Sequence, residues 1–356
     1  MKGQSNVTGF PAAQQPGPAS ALAYVAHASP AAGEARRIAP GVRWLHMPLP
    51  FVLDHINLWL IEDGDSHVLV DTGIGMPAVQ DIWEHLLPRL DRPIGRILVT
   101  HCHPDHLGLA RWLMERTGAP LYVSQAEMLT AEAWWNQLPG HDVEAMVELF
   151  RRHGLDQARL QALAERGPSY RHRVPALPHV YRRLLDGDAL AIGGHEWRVI
   201  TGYGHSPEHA CLHCPGLGVL IAGDMVLPRI TTNVSVLASM PEGDPLGRYL
   251  ESLRRFETLA EDTLVLPSHG RPFRGLHVRL AQLREHHAQR LEALRAACAR
   301  PSSAADCLPV LFSRALDPHQ VMFAMGEAIA HLNHLERSGA LARRTGEDGI
   351  HRFALR

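Results

Sequence analysis

Thr100-His101-Cys102-His103-Pro104-Asp105-His106 follows the apolar run Ile97-Leu98-Val99 and decides how the rest of the chain is read. A strand ending in a tight turn delivers these side chains to one cleft at the strand's C-terminal end. His101 and His103 alternate, so they point to the same side of an extended segment, and Asp105 and His106 reach a point beside them. Imidazole nitrogen with carboxylate oxygen suits one or two borderline-soft divalent metals. Cys102 stands between these residues, and alternation turns its side chain away from them.

Three further segments repeat one grammar: a short apolar run, a small or turn residue, then a metal-type residue. His205 follows Val199-Ile200 in Gly202-Tyr203-Gly204-His205-Ser206. Asp224 ends Val219-Leu220-Ile221-Ala222-Gly223-Asp224, and His269 sits in Leu264-Val265-Leu266-Pro267-Ser268-His269-Gly270. A site at the ends of sheet strands requires this pattern. Over roughly residues 41–275 the chain resembles the metallo-β-lactamase fold superfamily, whose signature is H-x-H-x-D-H. The resemblance implies an α/β fold, a four-layered αββα sandwich with two mixed sheets back to back and helices outside. It implies one metal held by His101, His103 and His205, a second held by Asp105, His106 and His269, and Asp224 bridging the two. Val70-Asp71-Thr72-Gly73-Ile74-Gly75 is similar to the family's early strand-and-turn motif. That likeness assigns Asp71 to orienting a ligand or the metal-bound water.

The chemistry implied is hydrolysis. Two metals sharing a water supply a hydroxide at neutral pH, so no Ser or Cys nucleophile is needed. In this reading Asp105 is both a ligand and the residue that orients the hydroxide and accepts its proton. Zinc is the expected metal, with iron and manganese as alternatives. His103 stands where the flavodiiron branch carries an acid. True metallo-β-lactamases lack an acid at the position of Asp224, which points away from antibiotic hydrolysis. The full set is similar to that of glyoxalase-II-like thioesterases, lactonases and nucleases. The chain shows neither a long processing-type insertion nor a basic tract. The expected substrate is therefore a small ester, a thioester of the acyl-glutathione or acyl-CoA type, or a lactone. The second reading is a single-strand-specific endoribonuclease of the lactamase-β-like 2 type.

Composition agrees with a small-molecule enzyme. The chain has 356 residues, enough for more than one domain. Its 35 Lys and Arg against 37 Asp and Glu argue against a nucleic-acid binder driven by bulk charge. Five cysteines fit no paired disulfide framework, favour a reducing compartment and suggest a cytoplasmic protein. Cys211 and Cys214 have C-x-x-C spacing without a second pair and lie in a strand-like segment, so they read as structural. No apolar run reaches transmembrane length, so no membrane partner is expected.

Residues 1–39, rich in Ala, Pro, Gln and Gly, read as a flexible lead, and 40–275 as the catalytic domain. Within it, 125–182 reads as a helical insertion, with helical spacing over Ala126–Trp135, Val143–Arg152 and Gln157–Glu165. A single helix is expected from His106 to Thr117. Arg171, Arg173, Arg182 and Arg183 are expected to contact an anionic part of the substrate, against the plainer reading of a solvated basic face. Thr232 and Asn233 lie in the polar loop after Asp224 and are expected to help set specificity. Residues 276–356 read as helix, helix and hairpin, a winged-helix-like unit resembling the small C-terminal domain of lactamase-β-like 2 proteins. Its expected role is packing or homodimerisation.

Overall fold

Strand residues that alternate between two apolar cores build the frame of the molecule. The structure, a computed structural model, describes residues 22–25, 28–313 and 316–356. Its strands begin with β1 (Ala23–Tyr24), β2 (Ala35–Ala39), β3 (Val42–Pro48), β4 (His55–Asp63), β5 (Ser66–Val70), β6 (Ile94–Leu98), β7 (Leu121–Ser124) and β8 (Arg182–Leu184). They continue with β9 (Ala189–Ile192), β10 (His195–Gly202), β11 (His209–Cys214), β12 (Val219–Gly223), β13 (Leu264–Pro267) and β14 (Phe273–Arg274). One sheet runs β2 to β8 in sequence order, and the other has the order β1-β14-β13-β12-β11-β10-β9. Both are mixed: β5, β6, β7 and β8 pair in parallel, as do β12 and β13, and the other pairs are antiparallel.

Alternation explains the layering. Trp44, Trp59, Val68 and Val70 from the first sheet meet Trp197, Val199, Leu212 and Ile221 from the second in one buried core between the sheets. The opposite faces bury Leu45, Leu58 and Leu69 on one side, and Leu220, Ala222 and Val265 on the other. Helices α1 (Pro77–Leu86), α2 (Pro104–Leu107), α3 (Ala110–Thr117) and α4 (Gln125–Trp135) belong to the first sheet's side. Val79, Trp83, Leu113 and Met128 pack into its outer core. This is the expected αββα sandwich. Strand β6 starts at Ile94, three residues ahead of the apolar run Ile97-Leu98-Val99, without moving the motif that follows it.

The helix expected from His106 to Thr117 is two helices, α2 and α3, broken at Gly108. A Cβ there would lie 2.3 Å from Pro104 O, 2.5 Å from Gly75 N and 2.7 Å from Gly73 O. The break lets the turn after β5 come up against the metal motif. The expected flexible lead also needs correction within the described residues. β1 pairs with β14 and β2 with β3, each extending a sheet edge. Residues 1–21 and 26–27 lie outside the described residues.

The insertion carries α5 (Val143–Arg152), α6 (Gln157–Arg166) and α7 (Tyr170–Arg173), with Asp142 and Asp156 accepting N-cap hydrogen bonds from Ala145 and Arg159. Beyond it come α8 (Pro245–Phe256), α9 (Leu276–Ala297), α10 (Ala304–Leu311), α11 (Pro318–Arg337) and the hairpin β15 (Leu341–Thr345) and β16 (His351–Leu355). Asp317 and Gln320 form a capping box at the start of α11, where Pro318 costs no hydrogen bond. Leu149, Phe150, Leu160 and Leu163 of the insertion share one core with Leu294, Met325, Ile329 and Phe353. The insertion and the C-terminal helices are thus one apolar unit set beside the sandwich. Among the described residues, no helix is long and apolar enough to cross a membrane.

Candidate metal centre

Every metal-type residue leaves the C-terminal end of a strand. Asp71 follows β5, the His101–His106 motif follows β6, His205 follows β10, Asp224 follows β12 and His269 follows β13. In layered α/β folds this is the edge where ligands collect. Two groups of donors result: His101, His103, His205 and Asp224 in one, Asp105, His106 and His269 in the other. His101 Nε2 lies 2.8 Å from His103 Nδ1 and 3.1 Å from His205 Nε2. Asp224 stands between the groups. Its Oδ2 is 3.4 Å from His205 Nε2, and its Oδ1 is 3.4 Å from His269 Nε2 and 3.6 Å from His106 Nε2. Asp105 Oδ2 approaches His269 Nε2 at 3.4 Å and His106 Nε2 at 3.6 Å.

The far ring nitrogens are fixed by the surrounding chain. His106 Nδ1 lies 2.8 Å from Asp71 Oδ2, and Asp71 also accepts from the Thr100 amide and hydroxyl. His205 Nδ1 is 2.8 Å from Asn233 O, and His269 Nδ1 is 2.7 Å from His55 O. A ring that donates Nδ1–H to these oxygens aims a bare Nε2 inward, the arrangement in which histidines ligate metal. Asp71 takes a left-handed backbone, φ 62°, which bends the chain sharply after β5.

Charge in the centre is strongly perturbed. Burial, together with the imidazoles of His106 and His103, holds His101 well below the usual histidine range. Burial and His205 bring His103 down to about 3. Burial also opposes charge on His106, but Asp71, Asp105 and Asp224 outweigh it and hold that ring at about 9. Burial would raise Asp105, yet His106 and His269 keep it at about 2. The donors fit a cation-binding centre: the uncharged rings of His101 and His103 converge, a cation would take the place of the proton that the carboxylates favour on His106, and His106 Nε2 and Asp224 Oδ1 are buried without a hydrogen-bond partner. Nitrogen and carboxylate donors of this mixture suit zinc, iron or manganese.

Three supporting residues carry no signal in the sequence. Glu127, at the start of α4, is fully buried and accepts from the Cys102 amide at 2.9 Å, the Ser206 hydroxyl at 2.7 Å and the Glu208 amide at 2.6 Å. It joins the loop of His101 and His103 to that of His205. Asn57 donates to Pro267 O and Gly270 O and accepts from Trp44 Nε1, bracing the His269 loop. His209 stacks on His101 with centroids 4.7 Å apart, and its Nε2 accepts from the Asp224 amide. Gly223 makes room for it, because a Cβ there would lie 2.2 Å from His209 Cε1. Cys102, Cys211 and Cys214 are buried free thiols, and burial raises all three.

A cavity of about 1180 Å³ opens from His103 and His205. Of the four arginines expected near substrate, the structure brings only Arg173 to its wall. Arg171 instead lies 4.0 Å over the Trp135 ring and donates to Trp135 O. Arg182 stacks on Tyr122 and donates to its hydroxyl, and Arg183 is exposed on β8. Their aromatic or solvent surroundings keep all three away from the cavity. Arg166, which the sequence reading passes over, lines it beside Arg173, with a buried Nη1 lacking a partner. Asn233 lines the cavity, whereas Thr232 is buried and donates to Asp224 O, so it braces the backbone at Asp224.

A two-sheet sandwich with two donor clusters at its strand ends defines the class of protein. The chain belongs to the metallo-beta-lactamase superfamily, whose family model matches residues 52–269. A second model, the metallo-beta-lactamase-like C-terminal domain, matches residues 291–356. A crystal structure of a beta-lactamase domain protein from Burkholderia ambifaria is 51% identical, covers 94% of this chain and 98% of its own, and superposes with a TM-score of 0.87. A metallo-beta-lactamase family protein from Thermus thermophilus is 32% identical, with coverage of 89% and 99% and a TM-score of 0.75. Among curated relatives, a probable metallo-hydrolase from Bacillus subtilis is 24% identical over 83% of this chain and 92% of its own. A hydroxyacylglutathione hydrolase from Idiomarina loihiensis is 25% identical, with coverage of 61% and 62%. An acyl-coenzyme A thioesterase from Gallus gallus is 26% identical, with coverage of 70% and 82%.

Proposed function

We propose that this protein is a dinuclear metal-dependent hydrolase of acyl thioesters carried on an anionic group, with simple esters and lactones as related substrates. The observation that carries the reading is one large cavity that opens at His103 and His205, ligands of the first donor cluster, with Arg166 and Arg173 in its wall. The second cluster adjoins the first through Asp224. His101, His103 and His205 would hold one ion, Asp105, His106 and His269 the other, and Asp224 would lie between them. Divalent ions there supply Lewis acidity toward a carbonyl and acidify water. The chain's own residues do the rest. Asp105, kept ionised by His106 and His269, offers a carboxylate oxygen to orient the attacking water and accept its proton. Asp71, Asn233 and His55 hold the rings of His106, His205 and His269 in one tautomer. Arg166 and Arg173 attract the carrier's carboxylate or phosphate. Burial lowers both guanidiniums, and the charge of Arg166 lowers Arg173 further, so an anion bound between them would relieve both. One relative is named a hydroxyacylglutathione hydrolase and another an acyl-coenzyme A thioesterase, which supports the same choice.

The ribonuclease reading gains little from the hairpin, where Arg344 is the exposed arginine without an ion pair among the described residues. Arg343 pairs with Glu242 and Glu336, and Arg352 pairs with Asp348, so these arginines are already neutralised. The test is hydrolysis of acyl-glutathione, acyl-coenzyme A, a lactone, a phosphodiester and single-stranded RNA, with Asp105→Ala alongside. Thioester turnover lost in the variant is expected. RNA cleavage with inert thioesters would overturn the reading.

A further inference from the structure

The cavity is larger and more apolar than cleaving a small acyl group requires. At about 1180 Å³ it exceeds the ~300–1,000 Å³ typical of small-molecule sites. Three separate stretches of chain supply its apolar wall. Met146 and Phe150 come from α5, Leu163 from α6, Val236 from the segment after Asp224, and Met322 and Phe323 from α11. Leu163 and Phe150 are buried, and they belong to the core that the insertion shares with the C-terminal helices. Trp134 joins this wall to the metal centre, its ring lying nearly parallel to that of His103 at 6.1 Å. Charged groups stand around this apolar wall, with Arg166 and Arg173 along the α6–α7 edge and Asp142, Asp244, Glu251 and Arg337 beside α5, α8 and α11.

Resting on the thioesterase reading, we infer that the insertion and the C-terminal domain together form an acyl-chain chamber, and that the substrate carries a medium or long hydrocarbon acyl group. The carbonyl sits at the donor clusters, the chain runs along the wall of α5, α6 and α11, and the carrier stays near Arg166 and Arg173. Each methylene that enters such a wall adds about fourfold in affinity until the chamber is full. The C-terminal domain is then part of the substrate site rather than an appended module. Val236 N donates to Gly326 O, which ties the post-Asp224 segment to α11 and keeps the chamber walled.

The test compares acetyl- and dodecanoyl-coenzyme A, and the same acyl groups on glutathione, for wild type, Ala238→Phe and Met146→Trp. Ala238 and Met146 line the chamber from different walls and are only partly buried, so larger side chains fill space without splitting the core. In wild type, kcat/KM should favour dodecanoyl over acetyl by at least ~100-fold, the gain of a few methylenes at the fourfold step. Each variant should lose at least ~30-fold on dodecanoyl and less than about threefold on acetyl, since filling the wall removes methylene contacts alone. Calorimetric titration with dodecanoate reads the chamber independently of turnover: binding is expected in wild type and at least ~10-fold weaker in both variants. Acetyl preference in wild type, or equal losses on both chain lengths, would overturn the chamber while leaving thioester hydrolysis standing. Dodecanoate binding without turnover of any thioester would instead overturn the hydrolase reading and leave the chamber.

Discussion

Asp71 shows how one side chain orients the ring of another. Its carboxylate reaches His106 Nδ1 and two donors of Thr100 from a left-handed backbone. Asn tolerates that backbone, so Asp71→Asn keeps the turn while removing the charge that opposes burial at His106. Loss of such a ligand partner typically weakens metal binding about 10–100-fold. Zinc titration of Asp71→Asn should show a loss in that range with little change in Tm, and an unchanged affinity would deny Asp71 this role. The seven metal-type residues and Asp71 are legible because each is announced locally, by a strand-like run and a turn. Asn57, Glu127 and His209 are not, because their partners lie far away in sequence; Asn57 meets Gly270 across 213 positions. Arg171 and Arg182 mislead for the complementary reason. Basic sequence alone does not reveal that Trp135 and Tyr122 take up those guanidiniums.

At the scale of elements, strand ends supply the metal-type residues, and α4 ties two of their loops together through one carboxylate. Glu127→Ala leaves two amides and a hydroxyl around a buried gap, each unsatisfied group costing about 1–3 kcal/mol. The expected result is a Tm lowered by several degrees together with zinc binding at least ~10-fold weaker, since the loops of His103 and His205 lose their common anchor. A lower Tm with unchanged affinity would make Glu127 a matter of stability alone. Element types follow from periodicity: α5 and α6 start where the helical spacing begins, and Asp142 and Asp156 prove to cap them. The break at Gly108 escapes that reading because it answers to the backbone of residues 73–75, a neighbour only in space.

In the whole molecule, the long C-terminal helices α9 and α11 meet through histidines as well as apolar side chains. His331 Nδ1 lies 2.8 Å from Glu327 O, and its Nε2 lies 3.1 Å from His287 Nδ1, with both rings buried between α9 and α11. Burial brings His331 down to about 3 and holds His287 well below the usual range, with Arg290 adding to both shifts. The unfolded chain therefore takes up protons that the fold refuses as pH falls below ~6.5. Stability from these groups is fully present above that pH and is lost on acidification, by about 2 kcal/mol for His331 at pH ~5. Urea unfolding should show a steeper fall between about pH 6.5 and 5 in wild type than in His287→Leu. Equal slopes would mean that the pair does not couple this junction to pH. The shared core of insertion and C-terminal helices lies beyond the sequence, since periodicity shows that α5, α6 and α11 each have an apolar face but not that these faces meet.

The two donor clusters are expected to hold two metal ions. The direct measurement is the metal content per chain after zinc loading and removal of excess, by elemental mass spectrometry, for wild type and Asp224→Ala. Two zinc equivalents in wild type and one or fewer in the variant are expected. One equivalent or fewer in fully loaded wild type would contradict the account.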